Sequence, residues 1–275
     1  MVVFERDVER WLAEDLGHHD VTNQLPGDTL GRLIAKEDGI VAGMDAVRAV
    51  FEYLGVGVDP GVADGDSIRA GDTVLTVEGP TREVLRGERI AVNLIGHASG
   101  IATRTRRAVN TAHEVDETVR IAGTRKTTPG LRSLEKLAIV AGGGDSHRLD
   151  LSHMVMVKDN HIAEMGLADA IAHFKARVSF ATKIEVEIER PEDASTAAAA
   201  GADIIMFDNL APAAIERGVA GLSAEVLTEA SGGITLETIP EYAATGVDVI
   251  SMGSLTHSAP ALDFSFSTDA NQARD

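Results

Sequence analysis

Residues 182–208 read TKIEVEIERPEDASTAAAAGADIIMFD. Ile184, Val186 and Ile188 alternate with Glu185, Glu187 and Glu189, the period of a strand. The segment from Pro191 to Ala200 has helical character, and DIIMF is a second β-rich run. Strand, helix and strand in so short a stretch imply parallel pairing through a helical crossover. Glu187 falls at the end of the first strand, and Asp208 directly follows the second.

The same rhythm extends to both sides. Short β-rich runs occur at TVRIAG (118–123), HMVMVK (153–158), EVLTEA (225–230) and DVISM (248–252), giving six with the two above. A helix is expected over Leu131–Ala141. Six strands are too few for a complete eight-stranded barrel, so an incomplete barrel and an open doubly wound sheet both fit the count. The placement of the polar residues favours the barrel. Arg125 and Lys126 follow the first run, Lys158 ends the second, and Ser231, Gly232 and Gly233 follow the fifth. Gly253 follows the sixth. Functional groups gathered at the C-terminal ends of the strands are the arrangement of a barrel active site.

Before Thr118 the pattern is irregular. Residues 3–16 are helical in period, with Val8, Trp11, Leu12 and Leu16 on one face and Gly17 as the stop. GRLIAKEDGIVAG (31–43) and SIRAGDTVLTVEG (67–79) read as strands broken by Gly/Asp turns. A long helix is expected from Pro80 to about Asn110, interrupted at Gly96 and Gly100. The expected fold is thus α/β: a smaller α+β domain over 1–110, then an incomplete β/α barrel over 111–261, with the tail 262–275 returning to the first domain.

Composition limits the function. The chain has 275 residues, 44% of them hydrophobic, enough for a large core. It contains no cysteine, which excludes disulfides and thiolate metal sites. The N-terminus is charged and amphipathic, unlike a signal peptide, and no apolar run approaches the roughly 20 residues of a membrane span. A soluble cytoplasmic protein is expected. Acidic residues outnumber basic ones 43 to 25, for a net charge of -18. Nucleic acid is therefore an unsuitable partner, since its phosphates would be repelled over most of the surface. An even acidic coat with few lysines is the pattern of a halophile, and a halophilic archaeal source is expected.

Against that background, Arg125, Lys126, His147, Arg148 and Lys158 form a cationic set suited to a polyanionic substrate. Arginine forks match carboxylate or phosphate, and lysine acts as a point charge. Glu187 and Asp208 on neighbouring strands suit Mg²⁺. The glycines of ASGGI and SMGS allow close approach of backbone to phosphate. Some features are less distinctive. GGG at 142–144 reads equally as a helix stop or a functional turn. Glu185, Glu187 and Glu189 share one face, which inside a barrel requires cations and on an edge strand would be solvated. His18, His19, His113 and His173 read as surface residues. No Ser/His/Asp order, Walker loop or zinc spacing is present.

Several motifs then carry a resemblance. GTRKTTPGLRSLEK, GGGDSHRLDLS, MVKDNH, IEVEIE, FDN, ASGGI and MGSLTHS occur in an order similar to that of quinolinate phosphoribosyltransferases. EDLGHHDVT and GERIAVNLIGHASGIAT resemble that family's first-domain motifs. The resemblance implies transfer of a phosphoribosyl group from phosphoribosyl pyrophosphate to quinolinate, with loss of CO₂, in NAD biosynthesis. It implies that Arg125, His147 and Arg148 hold the quinolinate carboxylates. Lys126 and Lys158 would lie between the two substrates, and Glu187 and Asp208 would serve the ribose hydroxyls and Mg²⁺. Ser231, Gly232, Gly233 and Gly253 would cradle the 5′-phosphate with His257 nearby. Arg89 would reach the site of a neighbouring subunit in a homodimer or larger assembly.

Three positions depart from the family's usual pattern: Gly123, Ser146 and His153 stand where aspartate, asparagine and aspartate are common. Two other functions use the same ingredients. One is a related phosphoribosyltransferase, such as the molybdenum-transport-associated relative or a nicotinate enzyme; a monocarboxylate would need fewer cations. The other is a non-catalytic barrel that binds a phosphorylated metabolite, which would not need both lysines and both carboxylates.

Overall fold

The computed structural model describes residues 5–269 of the chain, which divides into two units with separate cores. The first contains the residues up to Arg106, the segment Pro129–Gly143 and the chain from Ser258 onward. The second contains Arg107–Thr128 and Gly144–His257.

In the first unit, α1 (Glu5–Leu16) buries Val8 and Leu12, with Trp11 and Leu16 partly buried beside them, as the periodicity requires. Gly17 ends it with φ 55°. Next come β1 (Asp28–Ala35), β2 (Gly39–Ile40), α2 (Met44–Tyr53), β3 (Gly57–Pro60), β4 (Ser67–Ile68) and β5 (Thr73–Pro80). β1 and β5 pair antiparallel, β3 pairs with β5, and β2 with β4. α2 and β3 were not expected; α2 lies in the Gly/Asp-rich region, and β3 is only four residues long.

The helix α3 (Thr81–His113) is continuous, in contrast to the interruptions expected at Gly96 and Gly100. Those glycines serve packing instead. A Cβ on Gly96 would meet the Leu262 carbonyl at 3.0 Å, and one on Gly100 would collide with the Pro260 carbonyl. The cost of about 1 kcal/mol for a helical glycine is offset by that close approach. Near its start, Arg86 Nε donates to Asp20 Oδ2 at 2.8 Å. Asp20 Oδ1 accepts the amides of Thr22 and Asn23.

The second unit begins its sheet with β6 (Arg120–Ala122). The chain then forms α4 (Arg132–Ala141), whose Leu134, Ala138 and Ile139 belong to the core of the first unit rather than to the barrel span drawn from sequence. β7 (Val155–Val157), α5 (Asp159–Met165), α6 (Leu167–Lys175), β8 (Ile184–Ile188), α7 (Asp193–Ala200) and β9 (Ile204–Asp208) follow. After them come α8 (Pro212–Val219), β10 (Leu227–Ser231), α9 (Ile239–Ala243), β11 (Val249–Ser251) and α10 (Ser254–His257). All six expected strands are present. They form one parallel sheet in the order β6-β11-β10-β9-β8-β7.

Strands β7 to β11 neighbour one another in succession, and β6 and β7 stand at the two ends of the order. The order never reverses from a central strand, as it does in a doubly wound sheet. This is the succession of an incomplete barrel. Val186, Ile205, Phe207, Ala230 and Ile250 are fully buried in it, and complete burial of one such large side chain contributes about 1.5–3 kcal/mol. Finally, β12 (Phe264–Thr268) pairs antiparallel with β1 in the first unit. Residues 270–275 of the expected returning tail lie outside the described residues. No described helix is long and apolar enough to cross a membrane.

Candidate active site

The C-terminal ends of the parallel strands surround a cavity of about 680 Å³. Strand register explains its lining. Glu187 and Glu229 both align with Met206, and Asp208, Ser231 and Ser251 form the next row. Side chains two apart on a strand share a face, so each strand delivers its residues inward in these rows. Arg125, Lys126, His147, Arg148, Lys158, Glu187, Asp208, Ser231, Gly232, Gly233, Gly253 and His257 all line the cavity. Arg89 does not: it lies on α3 in the first unit with its side chain 59% exposed, 3.9 Å from Glu88.

The TRK turn is held from below. Thr256 Oγ1 donates to the Lys126 carbonyl at 2.6 Å, and the Lys126 amide donates to Thr124 Oγ1. The Lys126 side chain passes over Gly253, where a Cβ would stand 2.9 Å from Lys126 Cδ. Arg148 is buried, and its Nη2 donates to Met156 Sδ at 3.0 Å. The Nε atoms of Arg125 and Arg148 are buried with no hydrogen-bond partner. Burial, with the positive charge of Arg125, lowers the pKa of Arg148 from its usual value despite the nearby Glu185. These two guanidiniums retain donors for an anion.

Lys158 Nζ donates to Glu187 Oε2 at 2.7 Å. His161 accounts for the KDNH sequence, since its Nδ1 accepts the Lys158 amide at 3.0 Å and fixes the start of α5. Asp208 accepts a bond from Asn209 Nδ2 at 2.6 Å. Burial and then the charge of Glu187 push the Asp208 carboxyl above its ordinary range. Asn209 has a left-handed φ of 55°, and its carboxamide occupies the space that a Cβ on Gly232 would need. Gly232 itself has φ 95°, a conformation natural to glycine. Ser251 Oγ donates to Ser231 Oγ at 3.0 Å.

Of the three glutamates on one face, Glu185 is fully buried, Glu187 lines the cavity, and Glu189 is exposed just beyond β8. His147 supplies the compensation that Glu185 needs. Its Nε2 lies 3.0 Å from Glu229 Oε2 and 3.7 Å from Glu185 Oε1. Burial raises the pKa of Glu185, with the hydrogen bond of His147 opposing and the charge of Glu229 reinforcing the shift. Burial also disfavours an imidazolium at His147, but the two carboxylates outweigh it and push its pKa up to about 10. Its Nδ1 lies 2.6 Å from the Arg148 amide nitrogen.

Sequence reasoning missed Glu229, Asn209 and Met156. A charge inside the β-rich LTEAS, in phase with Ser231, was the available signal for Glu229. Asn209 was visible only as part of FDN, and nothing local marks Met156 as an acceptor for arginine.

Residues 20–99 match the N-terminal domain and residues 101–267 the C-terminal domain of quinolinate phosphoribosyl transferase. The chain belongs to the quinolinate phosphoribosyltransferase family. Among relatives in this family, a probable nicotinate-nucleotide pyrophosphorylase (carboxylating) from Methanothermobacter thermautotrophicus is 42% identical over 268 residues. That alignment covers 94% of this chain and 96% of the relative. The human nicotinate-nucleotide pyrophosphorylase (carboxylating) is 40% identical, over 96% of this chain and 91% of its own. The crystal structure of NadC from Streptococcus pyogenes superposes with a TM-score of 0.91 at 38% identity, over 97% of this chain and 98% of that one. Family membership thus extends over both units.

Proposed function

We propose that this chain is a decarboxylating quinolinate phosphoribosyltransferase, converting quinolinate and phosphoribosyl pyrophosphate to nicotinate mononucleotide, pyrophosphate and CO₂ in NAD biosynthesis. The observation that carries this reading is a pair of guanidiniums, that of buried Arg148 and that of half-buried Arg125. Each has an unpartnered Nε in the cavity that also holds Lys126 and Lys158. Two planar forks suit the two carboxylates of quinolinate. Two lysine point charges suit a polyphosphorylated sugar.

The substrates are both anions and would repel each other in water. Fixed cations between them remove that barrier and hold the pyridine nitrogen against the anomeric carbon. As pyrophosphate departs, Lys126 and Lys158 stabilise the charge it carries away. The resulting quinolinium ring stabilises the electron pair left at C2 when its 2-carboxylate leaves as CO₂, and a proton from solvent then takes the place of the carboxylate. Ser231, Gly232, Gly233 and Gly253, with His257, would hold the 5′-phosphate through backbone amides and hydroxyls.

The resemblance implies Mg²⁺, and Glu187 and Asp208 fit it. They end neighbouring strands at one cavity, and Asp208 is raised partly by the charge of Glu187, as expected of carboxylates short of a cation. These two residues would hold the ion; when bound, it neutralises phosphate charge. Arg89 would contribute to the site of a partner subunit in a homodimer. The acidic coat fits a halophilic archaeal cytoplasm.

The test is a direct assay. Purified protein is supplied with quinolinate, phosphoribosyl pyrophosphate and Mg²⁺ at high salt, and nicotinate mononucleotide and CO₂ are measured. Their formation in equal amounts is expected. Product from nicotinate but not quinolinate would instead identify a nicotinate enzyme, and no product from either acid would favour a binding protein.

A further inference from the structure

The turn after β6 carries Lys126, and β6 gives it little support. The strand is three residues long and stands at one end of the sheet, paired with β11. On its other side, among the described residues, Ala122 makes an isolated bridge to Asp145. Asp145 belongs to a turn, in which its Oδ1 accepts the His147 amide at 2.6 Å and His147 has a left-handed φ of 52°. Within the Lys126 turn, the Lys126 amide donates to Thr124 Oγ1 at 3.1 Å, and the Thr127 amide donates to the Arg125 carbonyl at 3.0 Å. Those bonds tie the turn to itself and to nothing rigid.

Support from outside comes from GSLTH, residues 253–257. Thr256 is 3% exposed, and its Oγ1 donates to the Lys126 carbonyl at 2.6 Å across 130 residues of chain. The same oxygen lies 3.1 Å from the Gly253 carbonyl, which also accepts the Thr256 amide at 3.2 Å. Gly253 completes the seat. A Cβ there would stand 2.9 Å from Lys126 Cδ, so the missing side chain leaves the groove in which the lysine stem lies. A spacing of three places the hydroxyl and the gap on one side of a helical turn. Thr256 is not among the residues that line the cavity, so it acts only through what it holds.

We propose that Thr256 is a positioning residue: with Gly253 it seats Lys126 and fixes the direction of its ammonium towards the phosphorylated substrate. This rests on the proposed role of Lys126 at the departing pyrophosphate. A lysine is a point charge on a flexible four-carbon stem, so it serves one position only if the stem is confined. The hydroxyl holds the backbone end of Lys126, and the glycine confines its stem.

Thr256→Val keeps the branched shape and removes the hydroxyl. It should lower kcat by about ten- to hundred-fold, since a misplacement of about 1 Å can cost about 10²-fold. The KM for phosphoribosyl pyrophosphate should rise, while that for quinolinate changes little, because Arg125 and Arg148 hold the acid. Thr256→Ser keeps the hydroxyl and should restore kcat to near that of the parent. The deciding comparison adds Lys126→Ala. In that background Thr256→Val should cost nothing further, because residues that act as one unit are not additive. An additive loss, a rise confined to the quinolinate KM, or no recovery in Thr256→Ser would mean that the hydroxyl serves Arg125 or the fold at large, and overturns the proposal. Thr256→Ala gives the same comparisons if Thr256→Val does not fold. Calorimetry adds a readout without turnover: the Kd of phosphoribosyl pyrophosphate with Mg²⁺ should rise about ten-fold in Thr256→Val and recover in Thr256→Ser. Failure of the quinolinate reading looks different. The unsubstituted protein would then bind phosphoribosyl pyrophosphate without turning over quinolinate, and the Kd values would still judge the seat. An unsubstituted protein that does not bind phosphoribosyl pyrophosphate overturns both.

Discussion

Lys158 Nζ lies 2.7 Å from Glu187 Oε2, so a cation and a carboxylate of the cavity are paired with each other. The Lys158 side chain is 44% exposed, and a pair in that setting stabilises the fold by less than about 1 kcal/mol. Its value lies in poising both groups at the site. Lys158→Ala should therefore leave Tm nearly unchanged while lowering kcat by about 10²–10³, the usual loss of one stabiliser of developing charge. Thermal melts and initial rates on the same preparation check this. An unfolded variant, or one with near-full activity, would contradict the placement of Lys158.

Substrate charge provides a second test. If Arg125 and Arg148 each grip a carboxylate, nicotinate offers one partner too few. Losing one charged hydrogen-bonded pair costs about 1.5–3 kcal/mol, or roughly ten- to hundred-fold in kcat/KM. Quinolinate should be preferred by at least that margin in parallel assays. Comparable values for the two acids would point to a nicotinate enzyme.

Acid stability should report on Asp20. The hydrogen bond from Arg86 first, and the amides of Asn23 and Thr22 next, hold its carboxyl well below the usual carboxylate range. A depressed folded-state pKa means that the stabilisation is complete above the unfolded value of about 3.9 and is lost as pH falls towards the folded value. Asp20→Asn should lower Tm at neutral pH, and the difference from the parent should shrink progressively below about pH 4. A gap that persists unchanged at low pH would show that Asp20 acts through its turn geometry rather than its charge.

The net charge of -18 leads to a salt prediction. Self-repulsion among surface carboxylates weakens as the Debye length falls from about 8 Å at 0.15 M to about 3 Å at 1 M salt. Tm should rise with KCl well beyond physiological ionic strength. A flat or falling Tm would remove the halophilic reading without affecting the enzyme assignment.

The barrel was legible because period-two runs and helical segments alternate in one stretch of chain, and because its polar residues stand at strand ends. Alternation placed Glu185 and Glu187 on one face but could not say which would be buried. That depends on His147, distant in sequence and held by Asp145 in a left-handed turn that no local pattern announces. Nor could α4 be assigned to its unit, since Leu134 and Ile139 read as ordinary apolar helix positions whichever core they enter. Gly96 and Gly100 misled for a related reason. Their role is to admit the carbonyls of Leu262 and Pro260, a contact between segments more than a hundred residues apart.

Arg89 provides the last test, because it is the one expected site residue that the cavity does not contain. Its side chain is 59% exposed, and its nearest anionic partner, Glu88, is 3.9 Å away. A contact so loose and solvated is worth less than about 1 kcal/mol, so on its own chain Arg89 has little to do. If it serves a partner subunit's site, each chain of a two-fold dimer both gives and receives the same residue. Arg89→Ala and Lys158→Ala should then each be inactive alone. Mixed under conditions that exchange subunits, they form hybrids in which one site carries both defects and the other carries neither. With equal mixing about half of the dimers are hybrids, so about a quarter of all sites should work again. Return of activity, measured against subunit exchange followed by tagged chains, would establish the shared site. If exchange occurs and activity does not return, Arg89 acts within its own chain or not at all.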